Sequence, residues 1–423
     1  MNFQRSIIIV YITRIILFLI SFVLSLIIAN TLGPEGNGIY ATHLVIVTAI
    51  AQLGLIGLNT GNTYFISKNK KNLPNIIGAT ILLAIIATFS VIAIFYILIN
   101  HCEFLFKDLN KDTLWIAILS APLIILNLWV RGIFLGLRKI KIYSLVDLVN
   151  KFVYLAIVVS IYLSGLFSIK NLFLAFLCAN IAAAIIHLYF LTKFPIEMPS
   201  FSLIKKLLIY SFKIYLAVTF GFLIVRSDIY LVNYLKGNYA SGIYAVAAYF
   251  ADVIIILPAT VGNVFLPFNI ASKNSLKSMI AVHRHIFIIM FIICSFIFTL
   301  SPFLIRTFFP QYHDSILPFM ILLPAIFFFS LVSIFSQYYA GKNYPYWLVI
   351  IWFFIVLLNI LLNIILIPKY NYLGAAFSSL ISYFLTWIIM IIITKTKFKT
   401  KYKYFPRFCD ILYIFNYKNH LTK

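Results

Sequence analysis

Residues 32–41 read LGPEGNGIYA, and residues 235–245 read LKGNYASGIYA. In both stretches a glycine-containing turn sequence precedes Gly-Ile-Tyr-Ala, and the two runs begin at Gly38 and Gly242, 204 residues apart. Two other landmarks return at nearly the same offset: Ser67-Lys68-Asn69 as Ser272-Lys273-Asn274, and Gly136 as Gly341. The spacing predicts an internal duplication, with each copy of the motif at the outer turn between the first two helices of one half.

The composition is that of an integral membrane protein. Of 423 residues, 63% are hydrophobic and only 10% are charged, which leaves too little polar surface to cover a soluble globule. The apolar residues fall into runs of roughly 20 to 25, the length that an α-helix needs to cross about 30 Å of hydrocarbon. The sequence therefore predicts an all-α integral membrane protein with about 12 transmembrane helices.

Clusters of Gly, Pro, Asn and Lys separate the predicted spans. In the first half these are 7–30, 39–66, 76–99, 114–137, 142–165 and 171–192, and in the second half 209–235, 242–267, 285–308, 316–340, 346–367 and 374–394. We predict an N-terminal six-helix bundle over 1–200, a second six-helix bundle over 201–395, and a basic cytoplasmic tail over 396–423.

The distribution of Lys and Arg predicts the orientation of the chain. With the N-terminus inside, the inner segments hold 22 of these residues and the outer loops hold six, as expected when cytoplasmic loops collect positive charge. Both termini are therefore predicted to be cytoplasmic. Each half then begins and ends inside, so that the two halves are parallel repeats around a central cavity. The net charge of +23 reflects this topology and a basic tail against anionic lipids, and needs no nucleic acid as partner.

Several sequence motifs that would indicate other classes of protein are absent. The nearest candidate for a phosphate-binding loop, Gly33 to Gly38, continues with Ile39 where a Lys is required, so no ATPase motor is built in. The first apolar run is too long for a signal peptide and has no cleavage site after it. The four cysteines, which stand far apart, suggest neither a disulfide framework nor a metal site: Cys102, Cys178, Cys294 and Cys409. We predict no cofactor, no metal and no catalytic residues.

The motifs in this arrangement resemble those of the polysaccharide-lipid flippase family, which belongs to the multidrug/oligosaccharidyl-lipid/polysaccharide exporter superfamily. The sequences that carry the resemblance are Leu32 to Tyr40, Arg226-Ser227-Asp228 with Tyr230-Leu231, Gly242-Ile243-Tyr244, Leu257-Pro258 and Leu266-Pro267. The resemblance implies a transporter in the bacterial cytoplasmic membrane that moves undecaprenyl-diphosphate-linked oligosaccharides for O-antigen or capsule synthesis. The implied partners are this substrate, membrane lipids, and the polymerase and chain-length proteins of the pathway.

Ionisable residues inside the spans are independent signs of function, because each is costly in hydrocarbon unless it faces protein or water. We predict that four cations line a substrate-binding cavity: Arg14, Arg131, Lys151 and Arg226. Asp147, Asp228 and Asp252 are predicted to serve ion coupling or structural ion pairing. A lipid diphosphate is anionic, and Arg offers it planar, bidentate and permanently charged donors. Transport would then follow alternating access.

Plainer interpretations remain open for several of these residues. Asp147 and Lys151, one helical turn apart, can form a purely structural ion pair, and Asp252 can bond a neighbouring helix. His187 is expected to be an interhelical histidine. For the whole chain, one alternative is a membrane glycan polymerase or ligase, although the longest outer loop, about residues 100–113, is short for a catalytic domain. The other is a multidrug/cation antiporter of the same superfamily, for which a net acidic cavity would be expected.

Overall fold

The computed structural model describes residues 3–106, 109–271, 275–342, 344–398 and 404–406. The Ser272-Lys273-Asn274 landmark and most of the predicted tail lie outside these ranges. Within them the chain forms twelve α-helices and no β-strand. The helices are α1 Phe3–Gly54, α2 Leu58–Lys68, α3 Leu73–His101, α4 Lys111–Ile118, α5 Ser120–Gly136, α6 Ile140–Leu163, α7 Ile169–Leu191, α8 Phe201–Ala271, α9 Ser275–Phe308, α10 Ile316–Ala340, α11 Tyr346–Tyr370 and α12 Tyr372–Lys397.

Among the described residues, ten helical stretches are long and apolar enough to cross a membrane. Two of them are about twice the usual length, Ile12–Gly54 with 43 residues and Ile214–Ala259 with 46. A straight α-helix of 43 residues would be about 65 Å long, roughly twice the hydrocarbon thickness. The chain is therefore a multi-pass helical membrane protein, as its composition predicts.

Both long helices bend at a glycine of the repeated motif. Gly33 in α1 has φ 66° and ψ 178°, and Gly237 in α8 has φ 84° and ψ −177°. This region of backbone space is essentially restricted to glycine. Gly33 and Gly237 are also 204 residues apart, so the two copies of the motif share a backbone conformation as well as a sequence. The predicted loops between these helix pairs are instead bends at a single residue.

The predicted helix over 39–66 is interrupted. Helix α1 ends at Gly54 and α2 begins at Leu58, because Ile56 and Gly57 both have positive φ values, 45° and 71°. The indole Nε1 of Trp129 donates a hydrogen bond of 2.8 Å to the carbonyl oxygen of Leu55, which also accepts from the backbone N–H of Leu58 at 3.1 Å, so the carbonyl at the break has two donors.

The predicted span over 114–137 is likewise two helices. Helix α4 ends at Ile118 and α5 begins at Ser120. Pro122 has no N–H group to donate to the carbonyl of Ile118, so a continuous hydrogen-bond ladder cannot pass this point. The remaining helices match their predicted spans to within a few residues, except that α8 begins at Phe201, eight residues before its predicted start, and α9 at Ser275, ten residues before.

Packing divides the chain into two compact units, Met1–Gly242 and Ile243–Lys423, and the boundary falls inside α8. The first unit has a core of large side chains that are at most 1% exposed: Phe95, Trp129, Phe134 and Phe173. In the second unit α10 packs between α9 and α12, and α11 packs against α12. The predicted division after residue 200 follows the repeat rather than the packing, and it stays a prediction.

The two copies of the motif pack against each other within the first unit. A Cβ atom added to Gly38 would overlap the carbonyl oxygen of Asn238, and one added to Gly242 would overlap the carbonyl oxygen of Pro34. Pro34 and Asn238 are themselves 204 residues apart, so the two close contacts are equivalent in the two repeats. Asn37 adds a hydrogen bond of 3.4 Å from Nδ2 to the carbonyl oxygen of Gly242. We call this contact the glycine crossing.

Candidate functional site

Helices α1, α5 and α6 bring two of the predicted arginines to one tyrosine. Arg14 Nη2 donates a hydrogen bond of 3.2 Å to the hydroxyl oxygen of Tyr143, and Arg131 Nη2 donates to the same oxygen. The Arg131 guanidinium carbon also lies 4.2 Å from the centroid of the Tyr143 ring, within the range of a cation–π interaction. Tyr143 therefore bridges two guanidinium groups that are 117 residues apart in the sequence.

The Asp147 carboxylate pairs with Arg131. Asp147 Oδ2 and Arg131 Nη2 are 3.1 Å apart, and each side chain is about one-fifth exposed. The i,i+4 spacing on α6 predicts that Asp147 pairs with Lys151, but the ion pair that the structure forms is between helices, with Arg131 on α5. Lys151 and Arg14 also interact electrostatically with this carboxylate.

These side chains form what we call the cationic cluster: Arg14, Arg131, Tyr143, Asp147 and Lys151. Tyr143, Asp147 and Lys151 recur at every fourth position of α6 and so share one face of that helix. Three cations and one carboxylate leave a formal net charge of +2. A partly buried site with this balance is suited to bind an anion, because a guanidinium has five N–H donors and these contacts use only some of them.

A second polar network holds α5, α6 and α7 together next to the cluster. Asn127 Oδ1 contacts His187 Nδ1 at 2.9 Å, and Asn127 Nδ2 donates to the carbonyl oxygen of Asn180 at 3.1 Å. Asn150 Nδ2 donates to the carbonyl oxygen of Ala179 at 3.1 Å. His187 is thus an interhelical histidine, as predicted. Asn127 lies one turn before Arg131 and Asn150 immediately before Lys151, so the network fixes the helices that carry the cluster.

The tyrosine of the first motif copy also reaches α6. The hydroxyl oxygens of Tyr40 and Tyr154 are 2.8 Å apart, which joins the second segment of α1 to α6. The helix break at Gly33 and this contact position the two segments of α1 against the same helix that supplies Asp147. Tyr143 was not among the predicted site residues, although its hydroxyl group joins two predicted arginines.

The other predicted site residues lie elsewhere. Arg226 and Asp228 are on the part of α8 that belongs to the first unit, where Arg226 is half-buried and Asp228 is only 2% exposed. Two residues apart on a helix, they point to different sides. Asp252, half-buried, lies on the part of α8 that belongs to the second unit. All three residues have interaction partners. Their roles in binding or coupling stay predictions.

The fold is shared with membrane transporters of known structure. An inward-facing multidrug resistance MATE family transporter of the MOP superfamily matches with a TM-score of 0.76 and 14% identity, covering 91% of this chain and 96% of that one. The outward-facing conformation of such a transporter gives a TM-score of 0.70 and 15% identity, covering 94% and 96%. A MOP superfamily transporter from Pyrococcus furiosus gives 0.68 and 15%, covering 94% and 96%. The protein therefore has the fold of a MOP superfamily transporter.

The sequence identifies the family within that fold. The sequence model of the family described as polysaccharide biosynthesis protein matches residues 3–268, more than half of the chain. The chain belongs to the polysaccharide biosynthesis protein family, and the resemblance predicted from its motifs is confirmed. No curated protein matched the chain. The chain is thus a member of the polysaccharide biosynthesis protein family that has the fold of MOP superfamily transporters.

Proposed function

We propose that this protein is a flippase that moves undecaprenyl-diphosphate-linked oligosaccharide repeat units across the bacterial cytoplasmic membrane, for assembly of a surface polysaccharide such as O-antigen or capsule. Family membership and transporter fold support a role in polysaccharide export. One observation supports a lipid diphosphate as the substrate: Arg14 and Arg131 both donate to the same hydroxyl oxygen. Polymerase and chain-length proteins would act on the exported units.

The chemistry of a lipid diphosphate suits the cationic cluster. Its charge is the part of the substrate that hydrocarbon rejects most strongly, whereas the prenyl tail can remain in lipid. Two guanidinium groups that converge on one oxygen can also converge on neighbouring phosphate oxygens, each with paired N–H donors. Tyr143 occupies this position in the free protein, so we expect the substrate to compete for hydrogen bonds that the tyrosine hydroxyl now accepts.

The number of crossings supports the proposed topology. In the part of the chain that the structure describes, ten stretches are apolar enough to span a membrane, and the bends at Gly33 and Gly237 allow two of them to cross twice, which gives twelve crossings. An even number puts both termini on one side, and the excess of Lys and Arg in the inner segments favours the cytoplasm. The matching bends, at equivalent positions of the duplication, favour two parallel halves that work by alternating access.

A multidrug or cation antiporter is the second candidate, because the structural neighbours include multidrug resistance transporters. For the Pyrococcus furiosus transporter, reverse polarity of the binding pocket has been taken to suggest a different function. The same reasoning applies to this chain. A cluster with a net charge of +2 favours anionic cargo, whereas the export of cationic drugs would require an excess of carboxylates.

Substitution of Arg14 tests the proposal. Arg14→Ala removes both the charge and the planar donors, so we expect polymer export to fall at least tenfold while the protein still inserts in the membrane. Arg14→Lys keeps the charge and should retain partial export. The measurement is surface polymer per unit of inserted protein, in a strain that lacks the chromosomal copy of the gene.

Arg306→Ala is the matched control, because Arg306 is exposed at the end of α9 and its loss removes the same charge. Normal export by Arg14→Ala would exclude Arg14 from the substrate path. A loss of export that only parallels a loss of membrane abundance would mean that Arg14 is structural.

A further inference from the structure

A polar cavity lies where α2 ends and where α3 and α8 begin, and it shares no residue with the cationic cluster. Its volume is about 460 Å³. The residues that line it are Phe65, Lys68, Asn69, Asn72, Asn75, Ser200, Ser202, Leu203 and Lys206. Seven of these nine side chains are polar, and all nine belong to the first unit.

The wall of the cavity is fixed by the linker between α7 and α8. The backbone N–H of Glu197 donates to the carbonyl oxygen of Pro74 at 3.3 Å, and Asn75 Nδ2 donates to the Glu197 carboxylate at 2.7 Å. Gly78 packs so closely on this linker that an added Cβ would overlap the Glu197 carbonyl oxygen. Tyr64 on α2 stacks on Tyr210 of α8 with centroids 4.1 Å apart. The cavity is therefore built between anchored elements.

The lining has two positive charges and no acidic side chain of its own. Lys68 and Lys206 contribute two ammonium groups, and Glu197, the acidic residue of the adjoining linker, is bonded to Asn75 and is not part of the lining. Helix α3 begins after Asn72 and α8 begins after Ser200, so the positive dipole ends of both helices lie beside the cavity. The Asn72 side chain makes no capping hydrogen bond. The combination favours a phosphate group.

We propose that this cavity binds the phosphate of an anionic phospholipid headgroup. The candidate span of α3 begins at Lys70, and the residues of α8 that line the cavity lie within the first six residues of that helix, so the cavity lies at the ends of both helices, at the depth of lipid headgroups rather than of acyl chains. Ammonium groups would bind the phosphate, and the Asn and Ser side chains would bind ester and hydroxyl oxygens. A soluble phosphate compound has the same chemistry and is the other source of ligand that the test must separate. The proposal does not depend on which substrate is transported.

The test measures the thermal unfolding midpoint and the bound lipid, by native mass spectrometry, of the full chain in neutral detergent. The probes are phosphatidylglycerol, phosphatidylcholine and inorganic phosphate. We expect phosphatidylglycerol to raise the midpoint and remain bound, with the other two probes weaker. Lys68→Ala with Lys206→Ala should lower the affinity for phosphatidylglycerol about tenfold or more. Ser202→Phe, which fills the cavity without changing the charge, should do the same.

Lys71→Ala with Lys205→Ala is the matched control, because these exposed lysines flank the cavity but do not line it. The control should keep the wild-type response. Equal losses in both double variants would mean diffuse attraction to basic residues and would overturn the site, as would a wild-type response in Ser202→Phe. If inorganic phosphate alone produces the shift, and the lining variants abolish it, the lipid assignment is overturned and a soluble phosphate ligand replaces it.

Discussion

At the scale of single residues, the hydroxyl group and ring of Tyr143 explain why this residue lies between two arginines. A hydroxyl oxygen accepts hydrogen bonds from two arginines that would otherwise repel each other, while the ring contacts the guanidinium of Arg131. A phenylalanine would keep the ring and lose the acceptor. The tyrosine therefore holds Arg14 and Arg131 together without adding a charge that would compete with an anionic substrate.

Tyr143→Phe should separate the contribution of the hydroxyl group from that of the ring. Loss of a hydrogen bond to a charged group is worth about 1.5 kcal/mol or more, so we expect export per inserted protein to fall about tenfold, with little change in membrane abundance. Tyr162→Phe is the control, since Tyr162 lies on the same helix and is 52% exposed. Equal export by the wild type and Tyr143→Phe would show that the bridge is dispensable.

The ion pair between Arg131 and Asp147 should behave as a coupled unit. Arg131→Ala leaves a partly buried carboxylate without its partner, whereas Arg131→Ala combined with Asp147→Asn does not. We expect the double variant to be more stable than Arg131→Ala alone, with a coupling free energy of about 1 kcal/mol. Thermal unfolding in detergent measures the cycle. A second cycle with Asp112→Asn, at the far start of α4, should be additive.

The partner of Asp147 illustrates what spacing along one helix can and cannot predict. The period of α6 places Asp147 and Lys151 on one face, and that prediction agrees with the helix. It cannot show that Arg131, on α5, approaches the carboxylate more closely, because that depends on how three helices pack. The existence of the spans was more predictable, since each span must be apolar over the thickness of the bilayer.

At the scale of structural elements, the glycine crossing explains why the motif has glycine at the same position twice. Gly38 and Gly242 each face a backbone carbonyl at a distance that leaves no room for a side chain. The sequence predicted a turn there, because glycine and proline are frequent in turns. A close contact between two helices also requires glycine, so composition alone does not distinguish the two. Gly33 and Gly237 also match at the 204-residue offset, but the sequence does not contain the backbone angles that these two glycines share.

Gly242→Ala should therefore be strongly destabilising. The new methyl group would overlap the carbonyl oxygen of Pro34, and separating the two helices would cost about 2 kcal/mol or more in lost packing. Gly221→Ala, in the same helix but with no atom within 4 Å of the added carbon, should be neutral or stabilising by up to about 1 kcal/mol. The measurement is the melting temperature of each variant. Similar values for Gly242→Ala and Gly221→Ala would contradict the close contact at the glycine crossing.

At the scale of the whole molecule, the topology is the property that the sequence predicts in most detail. The apolar spans and the charge distribution together predict an orientation for every loop, because the bilayer imposes one rule on the whole chain. The division into packed units is not predictable in this way. It depends on contacts such as that between Pro34 and Gly242, which no local pattern encodes.

Single cysteines in a cysteine-free background should report this topology. We expect impermeant thiol reagents to label cysteines at Glu35 and Tyr239 from outside intact cells, since both positions are exposed and lie beside the predicted outer bends. Cysteines at Lys71, Lys141 and Lys205 should be labelled only after the membrane is opened. Inversion at any two of these positions would reject the twelve-crossing arrangement.

The glycine crossing also sets an order of events during synthesis. Gly38 enters the membrane early, but the carbonyl oxygen that it packs against, that of Asn238, is made 200 residues later. The first compact unit therefore remains incomplete until the ribosome has passed residue 242, and closing so long a loop carries an entropic cost that the later packing must offset. A nascent chain that stops at residue 200 leaves the surface of α1 around Gly38 without its partner. Such a chain is a natural target for quality-control proteases, whereas one that stops after 242 has all the residues that its first unit contains.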